Sequence, residues 1–333
     1  MFKVFGPSMK RVLSFGFLRK TGLLLCTLFS LVSPSYSAFQ ELLWGARPAA
    51  LGGAYTAYAE DSNAPVYNPS GIALLSQTEL TFMYAQLFTG LNLYSGEDTS
   101  RLGLGYFSYA PNIKNKKFGS YAFSWTNFSA STLYREDAFS LTAADSYQFE
   151  SLPSKPVLSY GANLKYLKRS FATNQRSDVD PVFRGGRDSG AFAIDLGLMI
   201  HPHFENLPGL KFGFAGKNIN EPDMGLQTTD RVPARYAIGV SYHDPALPLL
   251  NPMLDISRRK GQTVVSAGWE AWMVKDILAL RFGGNKDQLG GGMGYVIPIA
   301  KNKMSLKFDY AILWPLNVDG SNGSHRVSIT TAF

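Results

Sequence analysis

The sequence of 333 residues predicts an all-β protein. We expect a transmembrane β-barrel of about 14 antiparallel strands, with an N-terminal, mostly helical or irregular hatch in its lumen. Apolar and polar residues alternate with a period of two from about residue 79 to the end, as in strands with two different faces. Charged residues make up only 17% of the chain, below the roughly 25% of a soluble domain. After residue 40, no stretch reaches the roughly 18 consecutive apolar residues of a membrane-spanning helix.

The alternation is clearest in the segments 158–166, 191–200 and 303–312. In the first, Leu158, Tyr160 and Leu164 share one face, whereas Ser159, Asn163 and Lys165 share the other. Segments rich in Asn, Asp, Gly and Pro separate such runs. The predicted strands are 79–88, 101–110, 119–128, 134–147, 156–169, 190–201, 209–219, 234–243, 252–258, 262–272, 277–285, 289–299, 303–313 and 324–333, with a weaker candidate at 90–96.

A soluble β-sandwich also alternates, so the pattern alone leaves two folds open. Several strands carry charges in their middle, which a dry sandwich core could not hold unpaired. In a barrel these side chains would face the lumen; they are Lys165, Asp195, Lys211, Lys217, Arg235, Lys307 and Asp309. The 23 Phe and 17 Tyr residues favour the barrel, because aromatic residues collect at membrane interfaces. The C-terminal Phe333, which closes an alternating strand, resembles the signal by which bacterial outer-membrane barrels are recognised for assembly.

The first 37 residues have the features of a secretory signal peptide. Five basic residues precede an apolar stretch at 22–32, and the small residues Ser35 and Ser37 suggest cleavage after Ser37 or Ala38. The mature chain would hold 27 Lys and Arg against 25 Asp and Glu, so electrostatics gives no reason to expect nucleic acid as a partner. Because the single Cys26 lies in this stretch, the mature protein would have no thiol chemistry. Leu24 and Leu25 before Cys26 argue against lipidation.

Residues that could carry catalysis or bind a cofactor are scarce. His201 and His203 could hold a metal weakly, but Pro202 between them favours a turn at the end of a strand. The glycines at 290–294 look like a phosphate loop, yet no helical pattern follows them. They are better explained by close approach of another backbone to the wall. We therefore expect no enzyme, no catalytic residue, no metal and no cofactor.

Residues 42–76 lack the period of two and are rich in small residues. We expect short helices here, broken at Pro48, Pro65 and Pro69. The order of residues 45–61, GARPAALGGAYTAYAED, followed by Asn63 to Ile72, NAPVYNPSGI, resembles the N-terminal hatch of the FadL and PorV superfamily of outer-membrane barrels. Residues 216–222 (GKNINEP), 232–240 (VPARYAIGV), 309–311 (DYA) and 324–328 (SHRVS) are similar to the PorV-like branch.

After the signal peptide at 1–37, this resemblance implies a hatch at 38–77 and a 14-stranded barrel at 78–333 in the bacterial outer membrane. It implies passive, hatch-gated uptake of hydrophobic or amphipathic small molecules such as long-chain fatty acids. The alternative is a PorV-like scaffold for protein export or surface attachment, with a surface or secreted protein as partner. Outer-membrane lipids and, through Phe333, the barrel-assembly machinery would be further partners. The residues expected to act in the hatch are Arg47, Tyr55, Asn68, Pro69 and Ser70.

Two points within the hatch stay open. Asn68-Pro69-Ser70 fits either a movable hatch element or an ordinary Asn-Pro turn. Glu60 and Asp61 fit either ion pairs with inward Lys and Arg of the wall or solvated charges in a loop.

Overall fold

The computed structural model describes residues 38–91, 102–112, 119–172, 180–244, 246–299 and 304–333. Within them, 14 antiparallel strands form a closed barrel in which each strand pairs with its neighbours in sequence and β1 also pairs with β14. The strands are β1 Glu79–Leu87, β2 Leu102–Ala110, β3 Ser120–Ala130, β4 Tyr134–Gln148, β5 Val157–Phe171, β6 Asp188–His201, β7 Leu210–Lys217, β8 Arg235–Tyr242, β9 Asn251–Arg259, β10 Gln262–Val274, β11 Leu278–Gly284, β12 Gln288–Ile299, β13 Met304–Pro315 and β14 Ser324–Ala332.

These strands confirm the fold class and the strand count. The proposed signal peptide with Cys26, and residues 92–96 of the weaker strand candidate, lie outside the described residues.

The two faces of the wall differ as the alternation predicts. Large apolar side chains point outward and stay exposed; Phe192 in β6, Ile238 in β8 and Phe282 in β11 are each more than 60% accessible. Inward positions on the same strands are polar or small, as at Asp195 and Gly239. The outer surface of the barrel is therefore apolar, as expected for a β-barrel embedded in lipid. In the described part of the chain, no helix is both long and apolar enough to cross a membrane.

Residues 38–77, here called the N-terminal segment, lie against the inward side of the wall. The segment contains the helices α1 Ala46–Ala50 and α2 Ala64–Tyr67 and the 3₁₀ helix Pro69–Leu74. The expectation that prolines break these helices was wrong for Pro48 and Pro65, whereas the chain does leave the helical conformation at Asn68, directly before Pro69. Pro48 lies in the first turn of α1, and Pro65 and Pro69 occupy the first or second positions of the two later helices. A proline is tolerated there because first-turn N–H groups have no partner within the helix.

Glycines of the wall allow the backbone of the N-terminal segment to come close. A Cβ at Gly283 of β11 would lie 2.2 Å from the carbonyl carbon of Leu51, and one at Gly213 of β7 would lie 2.3 Å from the carbonyl oxygen of Thr56. A Cβ at Gly290 would lie 2.8 Å from the carbonyl oxygen of Ala49. Residues 290–294 are part of strand β12, which supports the close-approach interpretation rather than a phosphate loop.

Candidate functional site

The candidate site is the interior of the barrel, where side chains of the wall satisfy the backbone of the N-terminal segment. The carboxylate of Asp255 in β9 accepts hydrogen bonds from the backbone N–H groups of Tyr55 (2.9 Å) and Thr56 (2.8 Å). Ser241 in β8 donates to the carbonyl oxygen of Ala57 at 2.8 Å. Buried backbone groups must be paired, and in this irregular segment the wall supplies many of the partners. Further contacts of this kind are the hydrogen bonds that Arg326 donates to Leu43 O and Asn163 donates to Pro65 O, and the one that Ser328 Oγ accepts from the Ala46 N–H.

A buried cluster of charges holds α1 to the wall. The Arg47 guanidinium donates two hydrogen bonds to the carboxylate of Glu270 in β10, from Nε at 2.9 Å and from Nη2 at 2.8 Å. Glu270 also accepts from Arg281 in β11 at 2.5 Å, and Arg281 contacts Asp309 in β13 at 2.6 Å. The side chain of Glu270 is fully buried. This bidentate geometry is the strongest form of an Arg–carboxylate pair, so the cluster joins α1 to three strands.

Aromatic side chains surround Arg47. Its guanidinium carbon lies 4.8 Å from the ring centre of Tyr58 and 5.7 Å from that of Tyr55. Tyr58 donates its hydroxyl proton to Glu270 (2.7 Å), and Tyr55 donates to Asp61 (2.6 Å). Burial opposes the charge of Arg47, but Glu270 and the other partners outweigh it and raise its pKa well above the usual value. Arg47 therefore stays a cation in this enclosed position.

Glu41 makes a second connection between segment and wall. Its carboxylate lies 2.8 Å from Nζ of Lys217 in β7 and 3.1 Å from Nη1 of Arg235 in β8. Burial alone would raise the pKa of Glu41, but the two cations outweigh it and lower the pKa to about 2. Glu41 is consequently ionised at any physiological pH.

Asn68, Pro69 and Ser70 lie against β5 and β6. Asn68 donates to the carbonyl oxygen of Thr56 at 2.8 Å and to that of Leu198 in β6 at 3.1 Å. Its own oxygen accepts from the hydroxyl of Ser70 at 2.8 Å. Gly197 makes room for this contact, since a Cβ there would lie 2.1 Å from the Asn68 side-chain oxygen. This element thus contacts the wall directly, as well as forming a local turn.

The other charges predicted to face the lumen are found in ion pairs. Lys165 pairs with Asp195 (2.7 Å), Lys211 with Glu60 (2.5 Å) and Lys307 with Glu79 (2.6 Å). The contact from Lys211 answers the question about Glu60, which pairs with the wall. Asp61 instead pairs with Arg47 of the N-terminal segment itself, at 3.0 Å.

His201 and His203 lie at the end of β6 with ring centres 3.8 Å apart. One nitrogen of each ring contacts a backbone carbonyl oxygen, that of Pro208 or that of Lys155. Across the described ranges, no three side chains of His, Cys, Asp or Glu are grouped so that they could hold a metal.

Three residues of this site, Glu270, Arg281 and Asp255, are not among those predicted from the sequence. Each is an inward charge in the middle of a strand, and all three are at most 3% accessible. The criterion that selected Lys165 and Asp195, a charge at an inward position of an alternating strand, would have found them if it had been applied to β9, β10 and β11.

A cavity of about 70 Å³ lies between the N-terminal segment and the strands β3 to β7. Its apolar lining includes Trp44, Val66, Phe128 and Leu167. Its polar lining consists of Gln40, Glu41, Ser124, Thr126, Glu136, Ser140, Lys165, Asp195, Lys217 and Asn218. The cavity is therefore amphipathic, with charges of both signs.

A closed 14-stranded barrel with an apolar outer surface and an interior filled by its own N-terminal segment defines the class: a bacterial outer-membrane β-barrel. Solved structures with this fold include the CymD monoaromatic hydrocarbon channel, which is 13% identical, with a TM-score of 0.54 over 86% of this chain and 96% of that one. The toluene transporter TodX of Pseudomonas putida is also 13% identical, with a TM-score of 0.54 over 89% and 98% of the two chains. A FadL homologue of Pseudomonas aeruginosa is 12% identical, with a TM-score of 0.52 over 90% and 99%.

These similarities show that the chain shares the barrel fold of these three proteins. Comparison with protein-family models gives no match, and comparison with curated proteins gives none either.

Proposed function

We propose that the protein is a non-enzymatic channel for passive uptake of hydrophobic or amphipathic small molecules across the outer membrane, gated by the N-terminal segment. The observation that carries this proposal is the attachment of the segment. It fills the interior but joins no strand of the wall in the described residues; side-chain hydrogen bonds, ion pairs and close packing hold it. Such contacts can be exchanged without opening the barrel. The fold shared with channels described as carrying toluene and monoaromatic hydrocarbons supports the same proposal.

The driving force would be burial of apolar surface. A ligand that leaves water for the aromatic lining of the interior gains about 25 cal/mol per Å² buried. Movement of the N-terminal segment would then connect the cavity to the two sides of the barrel, and diffusion would complete the passage. Long-chain fatty acids are one ligand class to test, and small aromatic hydrocarbons are another.

Whole-cell uptake tests this proposal. Radiolabelled oleate and toluene are offered to Gram-negative cells that express the full-length protein or a variant lacking residues 45–70, and surface expression is matched by antibody. We expect faster uptake of at least one compound with the full-length protein than with an empty vector, and an altered rate with the deletion. Uptake equal to the vector control in both cases would overturn the channel proposal.

A disulfide lock tests gating without a deletion. Ser62 of the segment and Thr81 of β1 have their hydroxyl oxygens 2.5 Å apart, so the pair S62C and T81C can form a disulfide that fixes the start of α2 to the wall. We expect oxidation to slow uptake and reduction to restore it. The matched control is T81C with T330C, because those hydroxyls are 2.6 Å apart and both belong to the wall. Equal rates for the oxidised and reduced forms of the first pair would contradict gating at α2.

The rival function is a PorV-like surface scaffold for protein export or attachment, which conducts nothing. The extensive ion pairing of the interior suits a static support as well as a gate. Cells that show no uptake of either compound, while the exposed loops retain a secreted protein at the surface, would favour the scaffold.

A further inference from the structure

Three serines form a row across the inner wall. Ser108 of β2 lies opposite Ser124 of β3, and Ser124 lies opposite Ser140 of β4. Ser140 in turn lies opposite Lys165 of β5. Because directly opposed residues of antiparallel strands point to the same face, these side chains make one continuous polar strip on the lumen side.

The hydroxyl groups of all three serines are buried without a hydrogen-bond partner among the described residues, but only Ser124 and Ser140 face a cavity. Ser124 and Ser140 line the cavity described above; they are 1% and 4% accessible. Neither Oγ atom hydrogen-bonds to any described part of the protein. A buried hydroxyl without a partner costs free energy, so the pair is suited to a hydrogen-bonding group that enters the cavity.

The charges of the lining decide which kind of group fits. The two ammonium groups of the lining are already neutralised, Lys165 by Asp195 at 2.7 Å and Lys217 by Glu41 at 2.8 Å. Glu136 adds a third carboxyl, which accepts hydrogen bonds from the backbone N–H of Phe39 (2.9 Å) and the hydroxyl of Tyr134 (2.5 Å). The described lining thus offers no uncompensated cation for a carboxylate ligand, and an unpaired buried charge is costly.

We propose that Ser124 and Ser140 bind the neutral hydroxyl head of a small amphipathic molecule, such as an alcohol or a phenol. This inference rests on the proposed uptake function and narrows its ligand class. A cavity of about 70 Å³ is smaller than the roughly 150 Å³ that an engineered apolar cavity offers to benzene. It accommodates the head of such a ligand rather than the whole molecule, while Trp44, Phe128 and Leu167 supply apolar contacts. The site therefore favours a neutral polar head over both a plain hydrocarbon and an acid.

Three probes of nearly equal size test this preference: toluene, benzyl alcohol and benzoate. Binding to the purified full-length protein in lipid nanodiscs is measured by calorimetry, and the signal of empty discs is subtracted. We expect benzyl alcohol to bind most tightly and benzoate least tightly. In the double variant S124A and S140A, affinity for benzyl alcohol should fall about tenfold, the effect of losing one to two net hydrogen bonds. Affinity for toluene should stay the same or rise.

The matched control is S108A, which removes a hydroxyl from the same row but from a residue outside the cavity lining. S108A should leave the affinities for all three probes unchanged. For the double variant S124A and S140A, retained toluene binding shows that the protein is folded. Toluene or benzoate binding as tightly as benzyl alcohol in the unaltered protein would overturn the proposal, as would a double variant that keeps its affinity for the alcohol.

The channel proposal and the proposal of a binding site at Ser124 and Ser140 can be refuted independently of each other. Alcohol binding that depends on the serines, together with no uptake of oleate, toluene or benzyl alcohol by cells, would refute the channel and retain the site. Uptake in cells, together with binding insensitive to the serines, would refute the site and retain the channel.

Discussion

Replacing Glu270 by Gln should release α1 from the wall while the barrel remains closed. Glu270 is the only carboxylate, among the described residues, that contacts both Arg47 and Arg281, at 2.8 and 2.5 Å. Removing one partner of a buried ion pair costs about 3–5 kcal/mol. Arg47 keeps Asp61 and is 21% accessible, and Arg281 keeps Asp309, so we expect the lower end of this range, about 3 kcal/mol. That corresponds to an increase of about 100-fold in local opening.

Hydrogen exchange measured by mass spectrometry in nanodiscs reports this opening. Peptides that cover residues 46–60 should exchange about 100-fold faster in the E270Q variant, whereas peptides from β3 to β5 should not change. The control is E150Q, which removes the exposed pair of Glu150 and Lys155, whose side chains are 66% and 58% accessible; exposed pairs contribute little. Unchanged exchange in residues 46–60, or an equal increase throughout the barrel, would refute the assignment of Glu270 as the anchor of α1.

Three further predictions address the pH dependence, the packing and the outer surface. The pKa of Glu41 is about 2 in the folded protein, against a usual value of 4.5. The ionised carboxylate therefore stabilises the fold fully above about pH 5, and this contribution declines as the pH falls from 4.5 towards 2. Hydrogen exchange of residues 38–45 should rise in this window, and E41Q should abolish that rise. The substitution G283A should displace the N-terminal segment and lower the unfolding temperature by several degrees, because the added Cβ would lie 2.2 Å from the carbonyl carbon of Leu51. The control G291A should leave the unfolding temperature unchanged, because a Cβ at Gly291 has no neighbouring atom within 4 Å. Leu141 of β4 is 61% accessible and faces lipid, so L141R should lower the free energy of unfolding in lipid vesicles by about 2–4 kcal/mol. The control L152R, in the turn between β4 and β5, should leave the free energy of unfolding unchanged. Equal effects of the two substitutions would contradict the assigned orientation of Leu141.

Much of the barrel wall was predictable because the two faces of a strand can be identified from alternate residues in a short stretch of sequence. The period of two in segments such as 158–166 gave the strands, and the mid-strand charges gave their inward side. The predicted and observed strands agree in number and nearly in bounds. Pro48 and Pro65 were misjudged because the rule that a proline breaks a helix does not say where a short helix begins. For Pro48, the helix begins two residues earlier, at Ala46, where α1 packs against β11 to β14.

The sequence by itself determined the strands, their two faces and the separate character of residues 42–76, because each depends on residues close together in the chain. Only the tertiary structure decided that β1 closes against β14, that Arg47 meets Glu270 across 223 positions, and that Ser124 and Ser140 share a cavity with Trp44. Ion pairs and cavities form between residues that the fold brings together, and many inward carboxylates could have satisfied Arg47. The choice among them follows from the register and closure of the whole barrel, which the alternation of a single strand does not contain.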